Sequence, residues 1–295
     1  MALPNVRNIL RIGSPSSSYK LLLVAASFSR PKFRNLCLKL LQPFIRDGEL
    51  PIHYRCYDRF YETLLRISEL ESDFLSTREL SITDTYRLDR GFNPDLVIDG
   101  GGNIGLFTLR AAAVVASSGQ AAARFVICEP VPENITQIRK HLDRNRVHAE
   151  ILPVCLGGTR RTIPFFRREA NQSSFSPSKP YTGVTEMPVY LLSDAIGTTP
   201  AQRILIKLDI EGMEVEALST FLPSEQRPVY LVGELHSFSE NAPLMQRLFQ
   251  ENGWTLEFFE THDDLSSFRA CSPSARPLLP SMAATKEPSQ PTVES

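Results

Sequence analysis

Acidic side chains stand at four places in this 295-residue sequence where a short apolar run has just ended. Asp99 follows LVI, Glu129 follows FVIC, Asp209 and Glu211 follow ILIKL, and Glu234 with His236 follows VYLVG. Apolar runs of this length read as strands buried on both faces of a parallel sheet. Open sheets of that kind bind ligands at the carboxyl ends of their strands, close to where the strand order reverses. One strand-ending acid is an ordinary solvated group; four in succession describe a polar site along one edge of a sheet. Such a set can move protons, orient hydroxyl groups, balance a cationic ligand or coordinate a divalent cation.

The stretch VIDGGGNIG (97–105) narrows the choice. Gly100, Gly102 and Gly105 satisfy G-x-G-x-x-G, the pattern that holds a dinucleotide pyrophosphate. Asp99 argues against that ligand, because a carboxylate a few ångströms from a pyrophosphate costs on the order of a few kcal/mol in a partly dry site. A ligand with ammonium and sulfonium groups is attracted instead. In the shifted register Asp99, Gly101, Asn103 and Gly105, the glycines admit close backbone approach or a tight turn, and Asn103 is placed to cap the next helix. Asp99 either faces the cationic ligand or bonds only to loop amides. Glu129 can accept both hydroxyls of an adenosine ribose, a contact shared by NAD and other adenosyl ligands. Together Asp99 and Glu129 select S-adenosylmethionine. The alternative is a nicotinamide-dependent dehydrogenase or epimerase, for which no Tyr-x-x-x-Lys pair is present.

His236 is the first candidate general base, with Glu234 as its orienter or as an alternative base. Asp209 and Glu211 are expected in the same cleft, and Lys207 can pair with one of them. His236 also reads as an ordinary loop histidine. A divalent cation on Asp209, Glu211, Glu234 and His236 is the less favoured reading, since the spacing is not dense.

The elements that must position these residues follow from periodicity. Beyond Pro94 the chain alternates strands (95–99, 123–129, 149–156, 203–209, 228–234) with amphipathic helices (103–117, 133–145, 211–221, 242–253), the signature of a parallel sheet covered on both faces. Ile135, Ile138 and Leu142 form one face of the second helix, and Pro132 suits a first helical turn. Residues 161–166 and 187–192 read as extra strands flanking a long polar loop. There Asn171, Gln172, Ser173, Ser174 and Tyr181 suit a lid over a hydroxyl-rich acceptor. Residues 254–260 and 267–272 read as a terminal antiparallel hairpin. Upstream, 31–92 reads as a helical extension, with Phe60, Leu64, Ile67 and Leu70 at helical spacing. Residues 1–30 are a weakly structured leader, 93–272 the catalytic domain, and 273–295 a Pro/Ser-rich disordered tail.

Net charge is −1, which argues against general nucleic-acid binding. Residues 1–55 nevertheless carry nine Lys/Arg against two acids. The segment 31–46 mixes those cations with Leu and Phe and suits either a helix packed on the domain or peripheral contact with an anionic membrane. Five scattered cysteines without a C-x-x-C pair suit the reducing cytoplasm, while the Ser- and Arg-rich leader also has the composition of an organelle address.

VIDGGGNIGLFTLRAA, VICEPVPENITQIRKHL, ILIKLDIEGMEVEAL and LVGELHSF, in this order, resemble the FkbM family of S-adenosylmethionine-dependent methyltransferases over roughly residues 93–260. The pattern D-x-G-x-N-x-G is met by Asp99, Gly101, Asn103 and Gly105, the acidic-proline pair by Glu129 and Pro130, and K-x-D-x-E-G by Lys207, Asp209, Glu211 and Gly212. Gly102 departs from it, a small residue such as alanine being more usual, and is expected to loosen the turn. The resemblance implies a Rossmann-like class I methyltransferase sheet of seven strands, the last antiparallel. It also implies methyl transfer, usually to the hydroxyl of a small-molecule or glycan acceptor. A methyltransferase-like binding module without turnover is the non-enzymatic alternative.

Overall fold

The computed structural model describes residues 39–57, 59–77, 85–119, 123–167, 183–198 and 200–279, with Leu36 and Met282. The leader, the lid residues Asn171 to Tyr181 and nearly all of the tail beyond 279 lie outside them.

The apolar runs form a seven-stranded sheet. Its members are β3 (Leu96–Gly100), β4 (Arg124–Cys128), β5 (Glu150–Leu152), β9 (Ile204–Leu208), β10 (Val229–His236), β11 (Thr255–His262) and β12 (Leu265–Cys271). They lie in the order β11-β12-β10-β9-β3-β4-β5. Only β12 runs against its neighbours, as expected of the last strand. The chain enters at β3, builds outward through β4 and β5, then returns to lay β9 on the other side of β3. The order therefore reverses between β3 and β9, and the crevice at their carboxyl ends is where a ligand belongs.

Successive residues of each central strand are buried on opposite faces of the sheet. Leu96 and Ile98 point into one core with Ile204, Ile206, Leu208 and Leu231. Val97 points into the other with Leu205, Tyr230 and Val232. Both faces are covered, which is why these strands read as continuous apolar runs. The covering helices are α2 (Leu106–Ser117), α3 (Pro132–Asn145), α5 (Glu214–Phe221) and α6 (Phe238–Glu251), after a short α1 (Leu70–Thr77) and with α4 (Leu192–Ile196) before β9. No helix among the described residues is long and apolar enough to cross a membrane.

Three expectations are corrected. The extension 31–92 is not helical throughout: β1 (Glu49–Cys56) and β2 (Arg59–Arg66) form an antiparallel hairpin. Leu50, Ile52, Tyr54 and Cys56 are buried while His53 is exposed, a period of two, and Phe60 of the supposed helical face is 70% exposed. α3 covers the edge of β2 with side chains. His141 Nε2 accepts from Leu64 N (2.9 Å), Gln137 Nε2 donates to Leu64 O (2.8 Å), and Asn145 exchanges two bonds with the backbone of Glu62. These replace the missing ladder partner of an edge strand. Second, 149–156 is not one strand, because it breaks at Pro153. β6 (Cys155–Leu156) joins a separate three-stranded sheet with β7 (Arg161–Arg167) and β8 (Gly183–Tyr190). Third, the segment from residue 273 to 279 is not a disordered tail. Pro273–Leu278 is a 3-10 helix, and Ala275, Leu279 and Met282 are buried in the core.

Candidate active site

Strand register places Asp99 of β3 directly beside Lys207 of β9. Both are almost wholly buried, with Lys207 Nζ 3.6 Å from Asp99 Oδ1 and 3.5 Å from Asp209 Oδ2. The same ammonium donates to the Gly101 carbonyl, and Thr108 Oγ1 donates to Asp99 Oδ2 at 2.8 Å. Burial raises the Asp99 pKa, against the opposing pull of Lys207 and Thr108. Burial would depress Lys207, but Asp209, Asp99, Glu234 and Glu129 hold it above its ordinary value. Asp99 is thus beneath the glycine loop and fully enclosed, not on the wall of the cleft. It anchors Lys207, which does reach the cleft together with Asp209 and Glu234.

The glycines have specific reasons. Gly101 sits at φ +73°, and a Cβ there would lie 1.9 Å from the Asp209 carbonyl oxygen, so the close approach is between the β3 and β9 loops. Gly102 does not loosen the turn: a Cβ would come 2.3 Å from Cγ2 of Ile127, a branch fixed in the core. Alanine at 102 is expected to cost about 1–3 kcal/mol by overpacking, measured by denaturant unfolding. Gly100 lies inside the sheet between Leu156 and Leu208. Gly105, not Asn103, is the N-cap of α2, and no side chain caps that helix. Asn103 instead donates its backbone N–H to Glu129 Oε2 at 2.7 Å.

Glu129 is buried at the end of β4. Its Oε1 accepts from Val131 N (3.0 Å), since Pro130 between them has no N–H, and from Asn134 Nδ2 (3.2 Å). Burial outweighs these donors and pushes its pKa up to about 7. Asn134 also accepts from Arg66, whose guanidinium holds the buried Asp73 with two bonds. The N-terminal hairpin is therefore wired to the carboxylate at the site.

Across the cleft the ends of β9 and β10 meet. His236 Nε2 lies 4.0 Å from Asp209 Oδ1 and 3.7 Å from Glu211 Oε2. Its Nδ1 is 3.1 Å from Glu214 Oε1, an oxygen that also accepts from the backbone of Ile210 (3.0 Å) and Gly212 (3.2 Å). Glu214, not Glu234, is therefore the residue that orients His236. Burial would lower the imidazole pKa, but the Glu214 hydrogen bond and the charges of Glu214, Asp209 and Glu211 push it up to about 10. At neutral pH the ring already holds its second proton, so in this state it cannot serve as the general base. Tyr86 is the other residue the sequence did not single out; it lines the cleft and its hydroxyl donates to Asp209 Oδ2 at 3.4 Å.

Among solved structures, three similar chains are methyltransferases by their descriptions. A precorrin-6y C5,15-methyltransferase from Geobacter metallireducens GS-15 is 12% identical, with 64% of this chain and 84% of that chain covered and a TM-score of 0.39. A methyltransferase from Geobacter sulfurreducens is 14% identical, over 68% of this chain and 86% of that one, with a TM-score of 0.41. A Pyrococcus abyssi tRNA (uracil-54, C5)-methyltransferase in complex with S-adenosyl-L-homocysteine is 9% identical, over 75% of this chain and 43% of that one, with a TM-score of 0.40. No curated protein matches the sequence. The model of the methyltransferase FkbM domain matches residues 99–265, from the Asp99 that anchors Lys207 to the start of β12. With the reversal point between β3 and β9 and the acidic cleft above it, that match shows that the chain belongs to the FkbM-domain methyltransferase family.

Proposed function

We propose that the chain uses S-adenosylmethionine to methylate a hydroxyl group of a sugar, polyketide or related small metabolite. The carrying observation is one cleft lined both by Asn103, whose backbone N–H is held by the buried Glu129, and by the carboxylates Asp209 and Glu234, with Glu211 close by at 3.7 Å from His236. The cradle at Asn103 and Glu129 fits the cofactor. Glu129 Oε2 uses one of its acceptor positions on Asn103, leaving room for a ribose hydroxyl. Asn103 Oδ1 is buried with no partner among the described residues, an acceptor awaiting a donor. When bound, S-adenosylmethionine supplies an electrophilic methyl group on a sulfonium.

The chain's own residues do the rest. The cleft would position the acceptor oxygen against the cofactor's methyl group, and such orientation removes much of the barrier. As the C–O bond forms and the S–C bond breaks, the hydroxyl proton must leave. With His236 already protonated, that proton passes to one of the carboxylates beside it. A positioned base of this kind contributes roughly 10²–10⁴-fold. The His236 cation and Lys207 keep the clustered carboxylates from repelling one another.

Calorimetric titration with S-adenosylhomocysteine and with NAD tests the cofactor. S-adenosylhomocysteine should bind; binding of NAD alone would overturn the reading. Because ribose hydroxyls donate to the ionised form of Glu129, which titrates at about 7, affinity should be flat above pH 7. Below it, affinity should weaken toward about tenfold per pH unit. Glu129→Gln should bind more weakly and lose this slope. Mass spectrometry of hydroxylated metabolites incubated with deuteromethyl cofactor then reads the acceptor, and label found only on nitrogen or carbon would exclude O-methylation.

A further inference from the structure

We propose that Asp209, Glu234 and His236 form a binding site for one divalent cation of the Mn²⁺ or Mg²⁺ class, placed to hold the acceptor's hydroxyl oxygen in an open coordination position. One ligand atom from each of the three residues lies within 4.8 Å of the others. Two ligands about 2.1 Å from one ion stand at most about 4.2 Å apart, so side-chain adjustments of under about an ångström complete the set. Oxygen donors with one imidazole suit a hard to borderline ion.

A second observation lies behind the cluster. Glu214 is fully buried, takes the Nδ1 side of His236, and leaves Nε2 directed at the carboxylates. Metal-bound histidines characteristically give their other ring N–H to a carboxylate, which fixes tautomer and ring orientation. The Glu214 Oε2 is buried with no partner among the described residues.

The inference rests on the methyltransferase reading for its role and alters the chemistry assigned there. An ion on Asp209, Glu234 and His236 Nε2 would take the place of the Nε2 proton, which is released to solvent; it would then polarise the acceptor hydroxyl, whose proton leaves to Glu211, a side chain 39% exposed at the rim. The methyl carbon is still displaced from sulfur by that oxygen, with S-adenosylhomocysteine and a methyl ether as products.

The test uses the full chain, stripped with a chelator and titrated with Mn²⁺ while the free aquo-ion signal is followed by electron paramagnetic resonance. S-adenosylhomocysteine is titrated in parallel by calorimetry. One Mn²⁺ per chain is expected. Glu234→Gln and His236→Gln should each weaken it at least about tenfold, and Glu214→Gln about 10–100-fold through loss of ring orientation. Glu234→Gln is nearly isosteric and keeps a folded comparison even where His236→Gln does not fold. Stoichiometric S-adenosylhomocysteine binding with no Mn²⁺ binding, or with Mn²⁺ binding unchanged in Glu234→Gln, overturns the cation site and leaves the methyltransferase reading standing. Mn²⁺ binding that the variants weaken, without S-adenosylhomocysteine binding, upholds the site and sinks that reading.

Discussion

Replacing Lys207 with methionine lowers the stability of the chain by about 3–5 kcal/mol, the usual cost of stranding a buried charge. The ammonium has three tasks that methionine cannot share: it lies 3.6 Å from the fully enclosed Asp99, 3.5 Å from Asp209, and it donates to the Gly101 carbonyl. Methionine fills similar space, so packing changes little and the effect isolates the charge. Asp99 is the sensitive partner, because burial already raises its pKa and Lys207 is the main opposing influence. In the variant that pKa rises further. A carboxyl whose folded pKa lies above its unfolded value stabilises at low pH and ceases to do so as pH rises through the folded pKa. The loss measured by denaturant unfolding should therefore be larger at pH 8 than at pH 5. Adding Asp99→Asn to Lys207→Met should recover part of it, since the stranded charge is then gone. A loss under about 1 kcal/mol, or no recovery in the double variant, would mean that the pair does not hold the β3 and β9 loops together.

The parts of this site that lie at strand ends could be read from the sequence, because a buried parallel strand announces both its length and its polar terminus. Asp99, Glu129, Asp209 and Glu234 all fall within a residue or two of where their strands stop. Direction was harder. Asp99 reads as a ligand-facing carboxylate until register sets it beside Lys207, and register depends on which strands are neighbours. The orienter of His236 is hidden in the sequence for a similar reason. Glu234 is two residues away in sequence, whereas Glu214 arrives from the first turn of α5, after a turn in which Glu211 (φ +58°) and Gly212 (φ +106°) are both left-handed. The fully buried Glu214 in EGMEVEAL was the available signal, as an acid at the fourth place of an otherwise regular loop. The hairpin at 49–66 was legible in the alternation of Leu50, Ile52, Tyr54 and Cys56. It was obscured because Leu64, Ile67 and Leu70 also satisfy a helical period, and because its edge is satisfied by Gln137, His141 and Asn145, far along the chain.

The glycine loop carries the second large effect, and two of its left-handed positions should respond very differently. Gly101→Ala places a methyl group 1.9 Å from the Asp209 carbonyl oxygen and 2.9 Å from its carbon, both backbone atoms that cannot rotate away, at a φ of +73°. The left-handed conformation alone costs an L residue about 1–2 kcal/mol. The overlap can be relieved only by parting the β3 loop from the β9 loop, and that motion pulls the Gly101 carbonyl off Lys207 and shifts Asn103 away from Glu129. Displacement of about an ångström in a positioned site costs about 100-fold, so S-adenosylhomocysteine affinity should fall by at least that much while the chain stays folded. Gly105→Ala is the control, since it has the same left-handed strain at φ +83° but its nearest neighbour, Ile138, is 3.4 Å away. It should lose about 1–2 kcal/mol of stability and little affinity. Thermal melts and calorimetry on both variants separate strain from displacement. If Gly101→Ala binds within threefold of the unaltered chain, the contact between the two loops is not what shapes the cofactor cradle, and the cradle's geometry must come from Glu129 and its three donors alone.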